Sequence, residues 1–163
     1  PHSARGEVGP GDIDFVVLER LQNRSGELFD DGVAKGSVVY AGSAYTGNGA
    51  VTWHVERPVP GLLNAPASFF APGLAVLGHP ARLQMMMILL RNGPLGSQEL
   101  QEALGGSSTG QFYHHLKELQ RLKLVRQPLR GSYEVDGRKA IPLLTLLATV
   151  LDLREEMDVL EDE

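Results

Sequence analysis

The stretch that most constrains the fold runs over residues 74–133. Its apolar positions recur at helical spacing, and turn residues separate one helical run from the next. Leu74, Val76 and Leu77 precede Gly78-His79-Pro80, a break that puts Pro at the first position of the following helix. Residues 81–91 are strongly apolar through Leu83, Met86, Met87 and Leu90, and Asn92-Gly93-Pro94 ends that run. Ser97 is the expected cap of a short helix over 98–104. Gly105-Gly106 forms a turn, and Ser107 or Ser108 caps a further helix that reaches residue 122. Residues 124–127 and 132–135 then predict a hairpin around Leu129-Arg130-Gly131.

The flanks read differently. Residues 1–11 are Gly, Pro and polar types, expected to be disordered or a tag. Residues 12–22 carry Ile13, Val16, Val17, Leu18 and Leu21 at helical spacing, with Asp12 as N-cap and Asn23-Arg24-Ser25-Gly26 as the exit. The period then changes to two. Residues 38–45 and 51–55 predict strands joined through Gly47-Asn48-Gly49. Val51, Trp53 and Val55 alternate with Thr52, His54 and Glu56, so one face is apolar. A lone hairpin is marginal in water and must pack on something. Residues 64–72 hold two prolines and read as a linker. The last helix is expected over 138–153, with Ile141, Leu144, Leu147, Ala148 and Leu151, followed by a fraying acidic tail over 155–163. The expected class is α+β. A helix-plus-hairpin module over 12–63 precedes a mainly helical domain over 73–154.

Composition removes several chemistries. The chain of 163 residues has no Cys, which excludes disulfides, zinc–thiolate sites and a thiol nucleophile. No apolar run reaches the length of a membrane span, and the first residues lack a signal-peptide layout, so a cytoplasmic protein is expected. The net charge of −5 is unevenly spread. Residues 1–68 carry five Lys/Arg against eight Asp/Glu, net −3. Residues 69–151 carry nine against five, net +4, and residues 152–163 carry one against seven, net −6. A basic segment lies between acidic flanks, and the local field is what a polyanion meets.

Helix, helix, turn, helix and hairpin in that order is the layout of a winged helix-turn-helix, which seats its second turn-linked helix in a DNA major groove. The strings LAVLGHPARLQMMMILL, SQELQEAL and STGQFYHHLKELQRLKLV resemble the ArsR-type winged-helix regulators over residues 70–150, about half the chain. That resemblance implies a bacterial-type transcription regulator that binds double-stranded DNA as a homodimer. Metal-sensing members use Cys pairs or Asp/His/Glu sets on the last helix. Cys is absent here and the last helix has no His, so the resemblance implies DNA binding without a metal switch, and no cofactor is expected. Residues 12–63 resemble an added module found before such domains in some bacterial regulators.

The N-terminal part of a recognition helix faces base edges. Ser107, Ser108, Thr109, Gln111 and Tyr113 are thus candidate groove residues, with His114 beside them. Gln can pair bidentately with adenine, and Ser or Thr bonds either way. Phe112, His115, Leu116 and Leu119 fall on the opposite face and are expected to pack inward. Adjacent residues on a helix diverge by about 100°, so His114-His115 is a poor metal pair. Lys117, Arg121, Arg126 and Arg130 are candidate phosphate contacts, Arg130 from the wing tip. His79 is expected to serve the helix start, and Met85-Met86-Met87 to fill core.

Leu74 and Leu77, with Leu144, Leu147 and Leu151 on the last helix, are candidate dimer contacts. Tyr40, Tyr45 and Trp53 could line a pocket for a small-molecule effector, although ordinary core packing accounts for them better, since aromatics dominate core burial. No order of nucleophile, base and acid points to an enzyme. Two alternatives stand beside the DNA reader: a winged-helix protein-interaction module, and a ligand sensor acting through the N-terminal module.

Overall fold

The helical and strand periods resolve into twelve elements in a computed structural model that describes residues 15–28, 35–106 and 108–161. In chain order these are α1 (Phe15–Leu28), β1 (Ser37–Thr46), β2 (Gly49–Pro58), α2 (Val59–Asn64), α3 (Ala67–Leu77) and α4 (Pro80–Asn92). Then follow β3 (Leu95–Gly96), α5 (Ser97–Ala103), α6 (Thr109–Arg121), β4 (Val125–Leu129), β5 (Ser132–Val135) and α7 (Gly137–Glu161). The class is α+β, and α4 through β5 form a winged-helix-like arrangement. The described residues divide into two compact units, one drawn from residues 15–39 and 56–65 and the other from 40–55 and 66–161. The boundary at residues 65 and 66 falls within the expected linker over 64–72, while residues 40–55, most of the hairpin, group with the second unit.

In the first unit, the Val59 N–H donates to Gly36 O at 2.8 Å and Ser37 Oγ donates to Glu56 Oε1 at 2.8 Å. Asp12 and Ile13 lie outside the described residues, and α1 runs past the expected exit at residues 23–26 to Leu28. Phe15 and Leu18 are exposed on it. The expected linker over 64–72 is instead the end of α2 and the first half of α3. Pro60 and Pro72 sit within these helices, Pro60 in the first turn of α2, where no helical N–H is lost.

The second unit is built on one core. Met85, Met86 and Leu89 of α4, Leu100 of α5, Phe112, Leu116 and Leu119 of α6, and Val125 and Val135 of the wing are all buried. His79 caps α4, its Nδ1 accepting from the Ala81 N–H at 3.2 Å. Arg82 reaches back from α4 to α3, where Nε donates to Val76 O at 2.7 Å and a terminal nitrogen to Ala75 O at 3.1 Å. These carbonyls end α3 and have no helical donor, so the guanidinium satisfies them and matches the negative end of the helix. The expected cap Ser97 is instead the first residue of α5. The cap is Gly96, whose N–H donates to Glu99 Oε2 at 2.7 Å. Gly105 and Gly106, with φ of 75° and 110°, make the turn into α6.

The wing holds one strand more than expected. β3 pairs antiparallel with β5 through Leu95–Tyr133 and Gly96–Ser132, giving the sheet order β3-β5-β4. Two residues are too short to read from sequence. The β4–β5 register shifts between Arg126 and Leu129, where Pro128 has no N–H to offer.

Within this unit the tip of the β1–β2 hairpin is held by hydrogen bonds to two backbone carbonyls. The Gly47 N–H donates to Leu90 O at 2.9 Å, and Asn48 Nδ2 donates to Val135 O at 2.9 Å. Gly47 crosses Gly93 so closely that a Cβ on residue 47 would lie 1.9 Å from Gly93 N. Further along, Gly42 abuts the Ile141 side chain of α7. The helix α7 continues at the backbone level to Glu161, beyond the expected end at 153. No single described helix is long and apolar enough to cross a membrane. The α3–α4 pair passes that test jointly but is bent by 74°, and α4 is largely core.

Candidate nucleic-acid interface

The helix α6 presents two faces because its sequence does. Phe112, Leu116 and Leu119 are buried against α4 and the wing, as the helical spacing predicts. Ser108 caps the helix, its Oγ accepting from the Gln111 N–H at 3.4 Å. Ser107 lies outside the described residues. Ser108, Thr109, Gln111, Tyr113, His114, Lys117 and Arg121 are all exposed, so the candidate groove residues share one open surface. Gln101 Nε2 of α5 donates to Thr109 Oγ1 at 3.5 Å, tying the two helices at the start of α6.

The cations around this surface are not equivalent. Arg121 pairs with Glu118 at 3.0 Å, one turn back on its own helix. Arg126 pairs with Glu134 at 2.7 Å across the wing, and Glu134 is buried. That carboxylate orients Arg126 and offsets part of its charge. Lys117 on α6 and Arg130 at the wing turn make no ion pair among the described residues, and both are exposed. Of the four candidate phosphate contacts, Lys117 and Arg130 are therefore the two whose charge no ion pair offsets among the described residues.

Behind the open face lies a histidine pair. The His79 and His115 rings are 4.3 Å apart, and His115 Nδ1 is buried with no hydrogen-bond partner. Burial is the main cause that holds the His115 imidazole below its ordinary pKa of 6.5, and repulsion from His79, Arg82 and His114 adds to it. His115 is half-buried, with its Nδ1 turned from solvent, and His114 is exposed. Among the described residues no group of three His, Asp or Glu side chains could hold a metal ion.

Sequence reading missed how α6 ends. Lys123 has φ of 55°, the left-handed conformation that favours Gly. The Leu124 N–H donates to Leu119 O at 3.0 Å and the Lys123 N–H to Gln120 O at 2.9 Å. This double closure turns the chain sharply from α6 into the wing and so aims β4 beside the open face. At the start of α7, Asp136 accepts from the Arg138 N–H at 3.1 Å and pairs with its guanidinium, which holds the carboxyl below its usual range.

The candidate dimer residues divide into two groups. Leu74 and Leu151 are largely exposed, at 58% and 61%. Leu77 packs partly on the core, and Leu144 and Leu147 are half-buried. Phe69, Val150 and Leu153 are exposed near them in sequence. Of the three aromatic residues on the hairpin, Tyr40 and Trp53 are half-buried and Tyr45 is exposed at 88%, so strand alternation removes Tyr45 from their face.

No protein-family model matches the chain, and no curated protein matches it. Among solved structures, the fold is similar to that of the quinone-bound YodB from B. subtilis, with a TM-score of 0.43 and 20% identity, over 58% of this chain and 97% of that chain.

Proposed function

We propose that this chain is a sequence-specific DNA-binding transcription regulator that works as a homodimer. The observation that carries the reading is the open face of α6. Ser108, Thr109, Gln111, Tyr113 and His114 are exposed together, while Phe112, Leu116 and Leu119 anchor the helix from behind. In such a geometry the helix start reads base edges and Lys117 and Arg130 contact phosphates. The ArsR-type resemblance of residues 70–150 supports the same role. Ion pairing leaves Arg121 and Arg126 a smaller share of the phosphate contact than their positions alone suggest.

A protomer of this kind reads one half-site, and two reach a palindrome whose half-sites are about 34 Å apart. The exposed apolar side chains of α3 and the outer part of α7 support self-association, because apolar surface of this kind is rarely left to water. The protein would need no metal, and a small-molecule effector would act by shifting the dimer or the reader helix.

The test is selection of bound duplexes from random-sequence DNA, followed by a salt titration on the enriched site. A palindromic site whose affinity falls steeply with salt is the expected result. Absence of enrichment over bulk DNA would remove the proposal and leave the protein-interaction module.

A further inference from the structure

A cavity of 290 Å³ opens where the hairpin meets the helical core. Ala44 and Thr46 of β1, Met87 and Arg91 of α4, and Leu144 and Leu147 of α7 are among its walls. The lining is mostly apolar, with Tyr45 and Thr46 adding hydroxyls, and Arg91 is the lining residue that carries charge. No Asp or Glu lines the space. Arg91 is exposed and makes no ion pair among the described residues. Met87, 40% exposed, offers an unbranched side chain that adapts to the shape of a guest. Leu144 and Leu147, expected from sequence to meet a second copy, form the α7 side of this wall.

We infer that this cavity binds a small organic carboxylate, with its apolar body against Met87, Leu144 and Leu147 and its carboxylate on Arg91. A water-sized group occupies about 30 Å³, so the space holds about ten non-hydrogen atoms. Guanidinium pairs bidentately with a carboxylate, and an apolar wall beside a single cation favours an amphipathic anion over a neutral or cationic guest. A bound molecule would touch β1, α4 and α7 at once and hold the hairpin tip on the core. The inference concerns the cavity alone and stands whether or not α6 binds DNA.

Phenylacetate, of matching size, is a suitable probe. Titration into the full chain, followed by methyl NMR, is expected to shift the signals of Met87, Leu144 and Leu147 with a Kd of about 1 mM, the order for a ligand of about ten atoms. Arg91→Gln, exposed and away from the core, is expected to weaken binding about tenfold. Phenylacetamide, the neutral analogue, should bind the wild type as weakly as phenylacetate binds that variant. Leu147→Trp, which fills the cavity, should abolish the shifts while the far-ultraviolet circular dichroism is kept. Unshifted lining methyls at saturating probe overturn the inference. So does an Arg91→Gln variant that binds phenylacetate with wild-type affinity, a result that holds even if Leu147→Trp fails to fold.

Discussion

Replacing Gly47 with Ala tests how the hairpin tip is seated. The new Cβ would lie 1.9 Å from Gly93 N and 2.3 Å from Asn92 C, both backbone atoms at the end of α4. Ordinary contact between such atoms is about 3.5 Å, so the tip must withdraw by roughly 1.5 Å. Gly93 cannot yield easily, because its N–H closes α4 on Leu89 O at 2.9 Å and its φ of 82° is already a glycine conformation. Withdrawal breaks the Gly47–Leu90 and Asn48–Val135 hydrogen bonds, each worth about 1 kcal/mol net. It also uncovers part of Val51, which packs on the core, for about 1 kcal/mol more. The expected loss is about 3 kcal/mol, or roughly 6–12 °C in Tm for a chain of this size. Gly49→Ala is the control: φ is 98° there and a Cβ would meet nothing within 4 Å, so only backbone strain of about 1 kcal/mol applies. Urea and thermal unfolding of the two variants decide the matter. If Gly47→Ala loses no more stability than Gly49→Ala, the close crossing does not hold the tip.

Three further predictions follow from the same contacts. His115 has a lowered pKa, so the folded chain binds fewer protons than the unfolded one, and its contribution is complete above the ordinary value of 6.5. That contribution is lost as pH falls through 6.5 toward the folded pKa. Urea midpoints measured between pH 7.5 and 5.5 should drop less in His115→Gln than in the wild type, and equal slopes would assign the dependence elsewhere. Lys123→Gly relieves a left-handed Lys in the closure of α6 and is expected to raise stability by about 1 kcal/mol, read from the unfolding midpoint. Leu151→Glu places a charge on an exposed apolar position of α7 and should lower the self-association constant at least tenfold by sedimentation, with the monomer's melting curve little changed. A dimer of wild-type strength in that variant would move the interface off this face.

Much of the second half was readable because its signals are local. The apolar period of residues 108–122 named Phe112, Leu116 and Leu119 as the anchored face, and the structure buries all three. Pro80, Gly93 and Gly105-Gly106 marked breaks through backbone rules that need no tertiary partner. The hairpin was readable from Val51, Trp53 and Val55 alternating beside a Gly-rich turn. Helix ends were less so. Ser97 looked like a cap but lies inside α5, since Glu99 can serve the Gly96 N–H equally well. The prolines of 64–72 suggested a linker, yet α3 accommodates Pro72.

What the chain specified locally is thus the order of helices and strands, the inward face of α6 and the open face opposite it. Each depends on the spacing of neighbouring side chains, which a periodicity reports directly. Tertiary structure decided the rest. It joined the hairpin tip to the end of α4 through Gly47 and Gly93, residues 46 positions apart whose close approach no local pattern encodes. It also added β3 to the wing, committed Arg126 to Glu134 while Arg130 stayed open, and formed an open pocket beside Arg91. These outcomes depend on which surfaces meet, and meeting is settled by packing of the whole unit, since each contact draws on residues distant in sequence.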